Sequence, residues 1–200
     1  MNEIEEFVRT YDGSQKNAIE FSWNSKHAAD FFDSNQDFRS KIVAFVCEDP
    51  GRSSIELIRD LFIEESKWSV EAWGAPFTFA ELGALLLSRG GPHYLPDFLE
   101  GFSASFDTFG ACHGMNLDPL IIASLLRSLE QSLSKATEER QKTQLESGKE
   151  LLEKLKAGNA ANGWAVLKPG TPVSNIRVLG RVGLSWHRFK QSIARGLRIR

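Results

Sequence analysis

The densest group of chemically capable side chains lies in the segment 106–114, which reads FDTFGACHG. A cysteine thiol acts as a nucleophile when a histidine lies within hydrogen-bond reach as its base. His113 directly follows Cys112, and adjacent residues seldom point their side chains at each other, so His93 would have to supply the base. The sequence offers no residue that would orient such a base. We therefore favour a corner between two helices with a buried thiol over a catalytic cysteine.

Three carboxylates form a second candidate group. Asp97, Glu100 and Asp107 are spaced three and seven residues apart, which places them on one face of a continuous helix. Paired carboxylates can carry out acid–base chemistry or hold a divalent cation. Their face lies away from the apolar stripe of Phe98 and Phe102, so a solvated acidic helix side is the simpler interpretation.

Metal and cofactor motifs are absent from the sequence. The four histidines, at positions 27, 93, 113 and 187, are scattered, and no CxxC, HxxxH or HExxH spacing occurs. Neither GxxxxGK[ST] nor GxGxxG is present. The sequence therefore predicts no metal and no cofactor.

Helical elements must position these residues, because helix start signals recur along the first 158 positions. Capping boxes lie at 53–56 and 78–81, which read SSIE and TFAE, and Asp118 followed by Pro119 is typical of another helix start. Apolar residues follow at helical spacing after each of these signals. We also predict helices over 3–10, over 25–48 with a break near 34, over 94–109 and over 137–156. Those last ranges rest on periodicity and on glycine and proline boundaries.

The predicted fold class is all-α. Short connections between the later helices favour antiparallel neighbours, as in a multi-helix bundle or a short stack of antiparallel helical hairpins. No fixed repeat period is found. An aromatic-rich corner between two helices runs from Trp68 to Phe79. There the helical period places Trp73 in the core, whereas Trp68 could serve either the core or an interface.

Charge divides the chain into two segments. Residues 1–158 carry 26 acidic and 16 basic side chains, a net charge of −10, whereas residues 159–200 carry eight basic side chains and no acidic one. We therefore predict an acidic helical body over 1–158 and a basic C-terminal segment over 159–200. In the basic segment, strand-like composition on both sides of the turn-rich link 168–172 predicts a short β-hairpin. A final amphipathic helix with a basic rim follows it.

The basic C-terminal segment has four interpretations. It could pack on the acidic body of the same chain, which would require no partner. It could follow nucleic-acid phosphates, dock on a protein, or lie on an anionic membrane, and we rank membrane contact below nucleic acid. The residues that would bind nucleic acid are Arg181, Arg188, Lys190, Arg195 and Arg198.

Composition restricts the class of protein. No apolar run approaches the roughly 18 residues that a membrane-spanning helix requires. The acidic start MNEIEE lacks the basic-then-apolar order of a signal peptide, so we expect cytoplasmic residence.

Our first functional hypothesis is a non-enzymatic intracellular protein-binding module, such as a bacterial toxin-neutralising (immunity) protein or a regulatory adaptor. An acidic helical surface suits a basic protein partner. The residues expected to bind it are Trp68, Glu71, Asp97, Glu100 and Asp107. One alternative is a nucleic-acid-associated protein that binds through its basic segment, and another is an enzyme that uses Cys112 or the Asp97 and Glu100 carboxylates. The sequence leaves the oligomeric state open.

Overall fold

The fold, seen in a computed structural model that describes residues 3–158, is an all-α helical bundle, as predicted. Within that range the only bridge between extended segments joins Trp23 and Asp33. The eight α-helices are α1 (Glu3–Thr10), α2 (Gln36–Glu48), α3 (Ile55–Ala72), α4 (Phe79–Gly90), α5 (Leu95–Phe102), α6 (Phe106–Cys112), α7 (Pro119–Leu133) and α8 (Glu139–Lys156). The predicted β-hairpin and final helix of the basic segment lie outside the described residues.

The core is organised around α3, which packs against both α4 and α5. Phe62 on α3 is fully buried, and its ring stacks on Phe79 at 4.6 Å and on Phe98 at 5.6 Å between centroids. Helices α7 and α8 pack on each other, and α8 contacts α5, where the side-chain amide of Gln144 donates to the carbonyl of Leu99 at 2.9 Å. The aromatic centre therefore lies between α3, α4 and α5.

Gly101 is required by this packing. A Cβ atom at Gly101 would lie 2.5 Å from Cε1 of Phe62, closer than real side chains approach. We predict that Gly101→Ala lowers the free energy of unfolding by about 1–3 kcal/mol, because Phe62 must leave its position. The matched control is Gly74→Ala, whose Cβ would meet nothing within 4 Å. Chemical denaturation, monitored by circular dichroism, measures the free energy of unfolding of both variants. An equal effect of the two substitutions would contradict the close packing of Phe62 on Gly101.

Several predicted helix boundaries are confirmed. The Asp118 carboxylate caps α7 by accepting the N–H of Leu120 at 2.7 Å, with Pro119 at the first helical position. Helix α8 spans nearly the predicted range and is followed by Gly158, whose φ is +69°.

Both predicted capping boxes are wrong. Ser54 caps α3 by accepting the N–H of Leu57 at 3.1 Å, while the Ser53 hydroxyl donates to the carbonyl of Pro50. The guanidinium of Arg89 on α4 also donates to the Ser53 carbonyl at 2.9 Å, so a tertiary contact holds Ser53 outside the helix. At α4, the side chain of Thr78 makes no capping hydrogen bond.

The single helix predicted over 94–109 is also wrong, because it divides into α5 and α6. The Ser103 hydroxyl donates back to the carbonyl of Leu99, and Ser105 forms a capping box with Thr108 that starts a new helix. The acidic residues 97, 100 and 107 therefore do not share one helical face.

The helix predicted over 25–48 begins only at Gln36. The segment before it follows an irregular path, since the carboxylate of Asp33 accepts the backbone N–H groups of Ser22 and Asn35 at 3.0 and 3.1 Å. These bonds fix a loop in place of the predicted helical turns.

Candidate partner-binding surface

A buried ionic group fastens this irregular segment to α3. Arg39 on α2 is fully buried; its Nη2 lies 2.7 Å from Oδ2 of Asp33 and its Nε lies 2.7 Å from Oε1 of Glu65. Its Nη1 donates to the carbonyl of Ile19 at 3.3 Å. One guanidinium therefore links α2, α3 and both ends of the segment 19–33.

Two further buried carboxylates of α3 hold the chain at Tyr11, before the segment, and at Phe21, near its start. The Tyr11 hydroxyl donates to Asp60 at 2.6 Å, and the backbone N–H of Phe21 donates to Glu64 at 2.9 Å. Burial alone would raise the pKa of Asp60, but the hydrogen bonds from Tyr11 and Arg59 outweigh it and lower that pKa. Asp60 is therefore held ionised as an acceptor.

The loop 22–34 is braced by the side chain of Asn24. Its Nδ2 donates to the carbonyl of Asp30 at 2.7 Å, and its Oδ1 accepts the N–H groups of Lys26 and Phe32 at 3.1 and 3.2 Å. The backbone of Asn24 also donates to the carbonyl of Phe32. An exposed loop with this many internal hydrogen bonds is fixed before any partner arrives, which lowers the entropy lost on binding.

Aromatic rings from the loop meet those at the C-terminal end of α3. His27 stacks on Trp73 at 6.0 Å between centroids and lies 4.9 Å from the ring of Trp23, while Phe31 meets Trp68 edge-on at 6.1 Å. Phe77 lines a groove together with Trp68. We call this surface the aromatic face; its members are Phe21, Trp23, His27, Phe31, Trp68, Trp73 and Phe77.

Trp73, which the sequence analysis placed in the core, lies at the surface. It is 76% exposed, and Phe77 is 78% exposed. The helical period stops applying at Ala72, because Trp73 adopts a left-handed backbone with φ +55° that turns its side chain out of register. Exposed aromatic side chains of this size are typical anchors of protein interfaces.

Backbone strain is concentrated at the same surface. Among the described residues, the non-glycine residues with positive φ are Ser25, Ala28 and Trp73, two in the loop and one beside it. Each such conformation costs roughly 1–3 kcal/mol and persists only where the surrounding structure enforces it, commonly at binding sites.

The five residues predicted to bind a partner fall into two groups. Trp68 belongs to the aromatic face, and Glu71 follows it by three residues on the same side of α3. Asp97, by contrast, lies near Arg59, which is close to the N-terminal end of α3. The pKa of Arg59 is raised chiefly by its hydrogen bond to Asp60 and also by the nearby carboxylate of Asp97. Arg59 precedes Glu71 by twelve residues, or about 18 Å of helix. Asp97 therefore lies apart from the aromatic face on α5, with the exposed Glu100 one turn further along that helix, and Asp107 lies on α6.

Cys112 and His113 occupy positions that packing and a local contact explain. Cys112 is fully buried, and burial raises the pKa of its thiol. The Nδ1 of His113 lies 2.9 Å from the carbonyl of Phe109 on its own helix. This arrangement favours the structural interpretation of Cys112. No cluster of three or more His, Cys, Asp or Glu suited to a metal occurs among the described residues.

Two further predictions from the sequence concern the basic C-terminal segment and membrane-spanning helices. The basic residues Arg181, Arg188, Lys190, Arg195 and Arg198 lie outside the described residues. None of the helices in 3–158 has the length and apolarity needed to cross a membrane.

Comparisons of the chain with protein-family models, curated proteins and solved structures found no match.

Sequence reasoning missed the loop half of the aromatic face. A signal for it was present, since Phe21, Trp23, Phe31 and Phe32 cluster in a stretch with no helical apolar period. Such a stretch holds more large aromatic residues than a solvated connection needs.

Proposed function

We propose that this protein is a non-enzymatic protein-binding module and that the aromatic face receives its partner. The observation that carries the proposal is the exposure of Trp73 and Phe77 on a surface that is fixed from beneath by the buried Arg39 group. Rigid aromatic anchors lose little conformational entropy on binding, so a surface of this kind supports affinity.

We propose further that the partner is a basic protein. Residues 1–158 carry a net charge of −10, and Glu71 at the aromatic face forms no ion pair with another described residue. The carboxylates of Asp97, Glu100 and Asp107 would add to a negative potential that attracts such a partner. An intracellular role as an immunity protein or a regulatory adaptor fits this chemistry.

Affinity capture from native lysate at moderate salt tests the proposal. The full chain is compared with a Trp73→Ser/Phe77→Ser variant and with a variant in which the five basic residues Arg181, Arg188, Lys190, Arg195 and Arg198 are changed to Gln. Each capture is repeated after nuclease treatment. We expect a basic protein that resists nuclease, is retained by the Gln variant, and is lost with the double Ser variant.

The contrary outcomes are equally concrete. Nucleic acid that is retained by the full chain and lost with the Gln variant would show that the basic segment is the binding site. The affinity for nucleic acid should then fall steeply with salt concentration. A protein partner retained by the double Ser variant would show that it binds elsewhere than the aromatic face.

A further inference from the structure

A groove of about 270 Å³ adjoins the aromatic face. Val43 of α2, Trp68 of α3, and Pro76 and Phe77 after α3 form its apolar walls. Sites for drug-sized ligands usually occupy about 300–1,000 Å³. A groove at the lower end of that range has room for a single inserted side chain.

Glu65 also lines this groove and is only 4% exposed. One of its carboxylate oxygens accepts from Nε of Arg39 at 2.7 Å, whereas no described residue donates a hydrogen bond to the other oxygen. Both oxygens of Asp33 have donors, since Ser22 and Asn35 donate to Oδ1 and Arg39 donates to Oδ2. Glu65, which lines the groove, therefore carries the carboxylate oxygen of this buried group to which no described residue donates.

The charges of this group do not balance. Arg39 supplies one positive charge against the two carboxylates of Asp33 and Glu65. Burial raises the pKa of Glu65, and the attraction of the shared guanidinium only partly opposes that shift. A second cation placed in the groove would neutralise the remaining charge and fill the free lone pairs.

The groove also carries neutral acceptors. Gln36, Ser40 and Thr78 line it, and their side chains form no hydrogen bond with any described residue. Thr78 is the residue whose side chain was expected to cap α4 and does not. A guanidinium has five N–H donors in one plane and stacks on aromatic rings, so it can use several acceptors at once.

We infer that this groove binds one arginine side chain of the protein partner, with the guanidinium on the free oxygen of Glu65 and its aliphatic stem between Trp68 and Phe77. The inference rests on the proposed function and gives it a specific recognition chemistry. An ammonium of lysine offers three donors and no planar face, so it matches this set of acceptors less well.

The test is a titration of the full chain with each of two peptides. Binding is monitored through the nuclear magnetic resonance signal of the Trp68 indole N–H. The probes are acetyl-Gly-Gly-Arg-Gly-Gly-amide and the same peptide with citrulline, a neutral isostere, in place of arginine. We expect saturable shifts with the arginine peptide and affinity at least about tenfold lower with the citrulline peptide.

Variants supply the controls. Glu65→Gln should lower the affinity for the arginine peptide to that of the citrulline peptide, whereas Glu56→Gln, an exposed carboxylate on the same helix, should leave it unchanged. Should Glu65→Gln fail to fold, Phe77→Ala removes a wall of the groove at an exposed position and should weaken binding as well. Equal binding of both peptides, or undiminished binding by these variants, would overturn the inference.

Failure here can be told apart from failure of the proposed function. A partner that is lost with Trp73→Ser/Phe77→Ser but retained by a folded Glu65→Gln variant would leave the module intact and refute the arginine groove. A chain that binds the arginine peptide but retains no protein from lysate would refute the module instead.

Discussion

Replacing Arg39 with Met is expected to lower the free energy of unfolding by about 3–5 kcal/mol. Among residues 3–158, the Arg39 guanidinium is the one cation paired with Asp33 and Glu65, and all three side chains are buried. Removing it leaves two like charges that are shielded from water and close to each other. The same change releases the carbonyl of Ile19, so the segment 19–33 should loosen before the bundle melts.

Denaturant unfolding of the full chain measures this effect, and two comparisons define its cause. Arg52→Met breaks exposed ion pairs with Glu5 and Asp49 and should cost less than about 1 kcal/mol. Adding Asp33→Asn and Glu65→Gln to Arg39→Met should recover part of the loss, because the uncompensated charges are then gone. An Arg39→Met variant as stable as the parent would show that the ionic group does not hold the loop.

Trp73→Gly is expected to weaken partner binding by about 2 kcal/mol or more, roughly thirtyfold in the dissociation constant. Trp73 is the most exposed tryptophan among the described residues and stacks on His27, so it presents a large rigid anchor. Glycine accepts the backbone conformation with φ +55° without strain. The Trp73→Gly variant should therefore be no less stable than the parent, because relief of the backbone strain offsets the lost contact with His27. Weaker binding by a variant of unchanged or higher stability separates loss of contact from loss of fold.

The dissociation constant is measured by titration calorimetry with the captured partner. Leu120→Ala is the matched control, since Leu120 is an equally exposed apolar residue at the start of α7. It should leave the affinity unchanged. If the partner bound the parent and the Trp73→Gly variant with equal affinity, Trp73 would not contribute to the interface.

The sequence predicted those elements whose determinants are local. Asp118 and Pro119 specify the start of α7 within one turn, and the acidic-to-basic order of α8 matches the helix dipole. The leucines of α8 are spaced as a narrow stripe along the helix, and Leu145, Leu151 and Leu152 are buried. Such patterns need no knowledge of distant residues.

Distant contacts decided the rest. The loop before α2 depends on Asp33, Arg39 and Glu65, which lie up to 32 positions apart and meet only in the folded chain. Ser53 could have capped α3, but its contact with Arg89 on α4 left that place to Ser54. Periodicity likewise assigned Trp73 to the core because it carries no information about where a helix leaves its own register.

Hydrogen exchange of the full chain, with and without the captured partner, tests the central claim most directly. Binding of the partner at the aromatic face should add protection to the backbone amides of 21–34 and 68–78 and change those of α8 little. This protection should disappear in Trp73→Ser/Phe77→Ser. Protection confined to other segments, or a bound partner that leaves 21–34 and 68–78 unchanged, would contradict the assignment of the aromatic face as the binding surface.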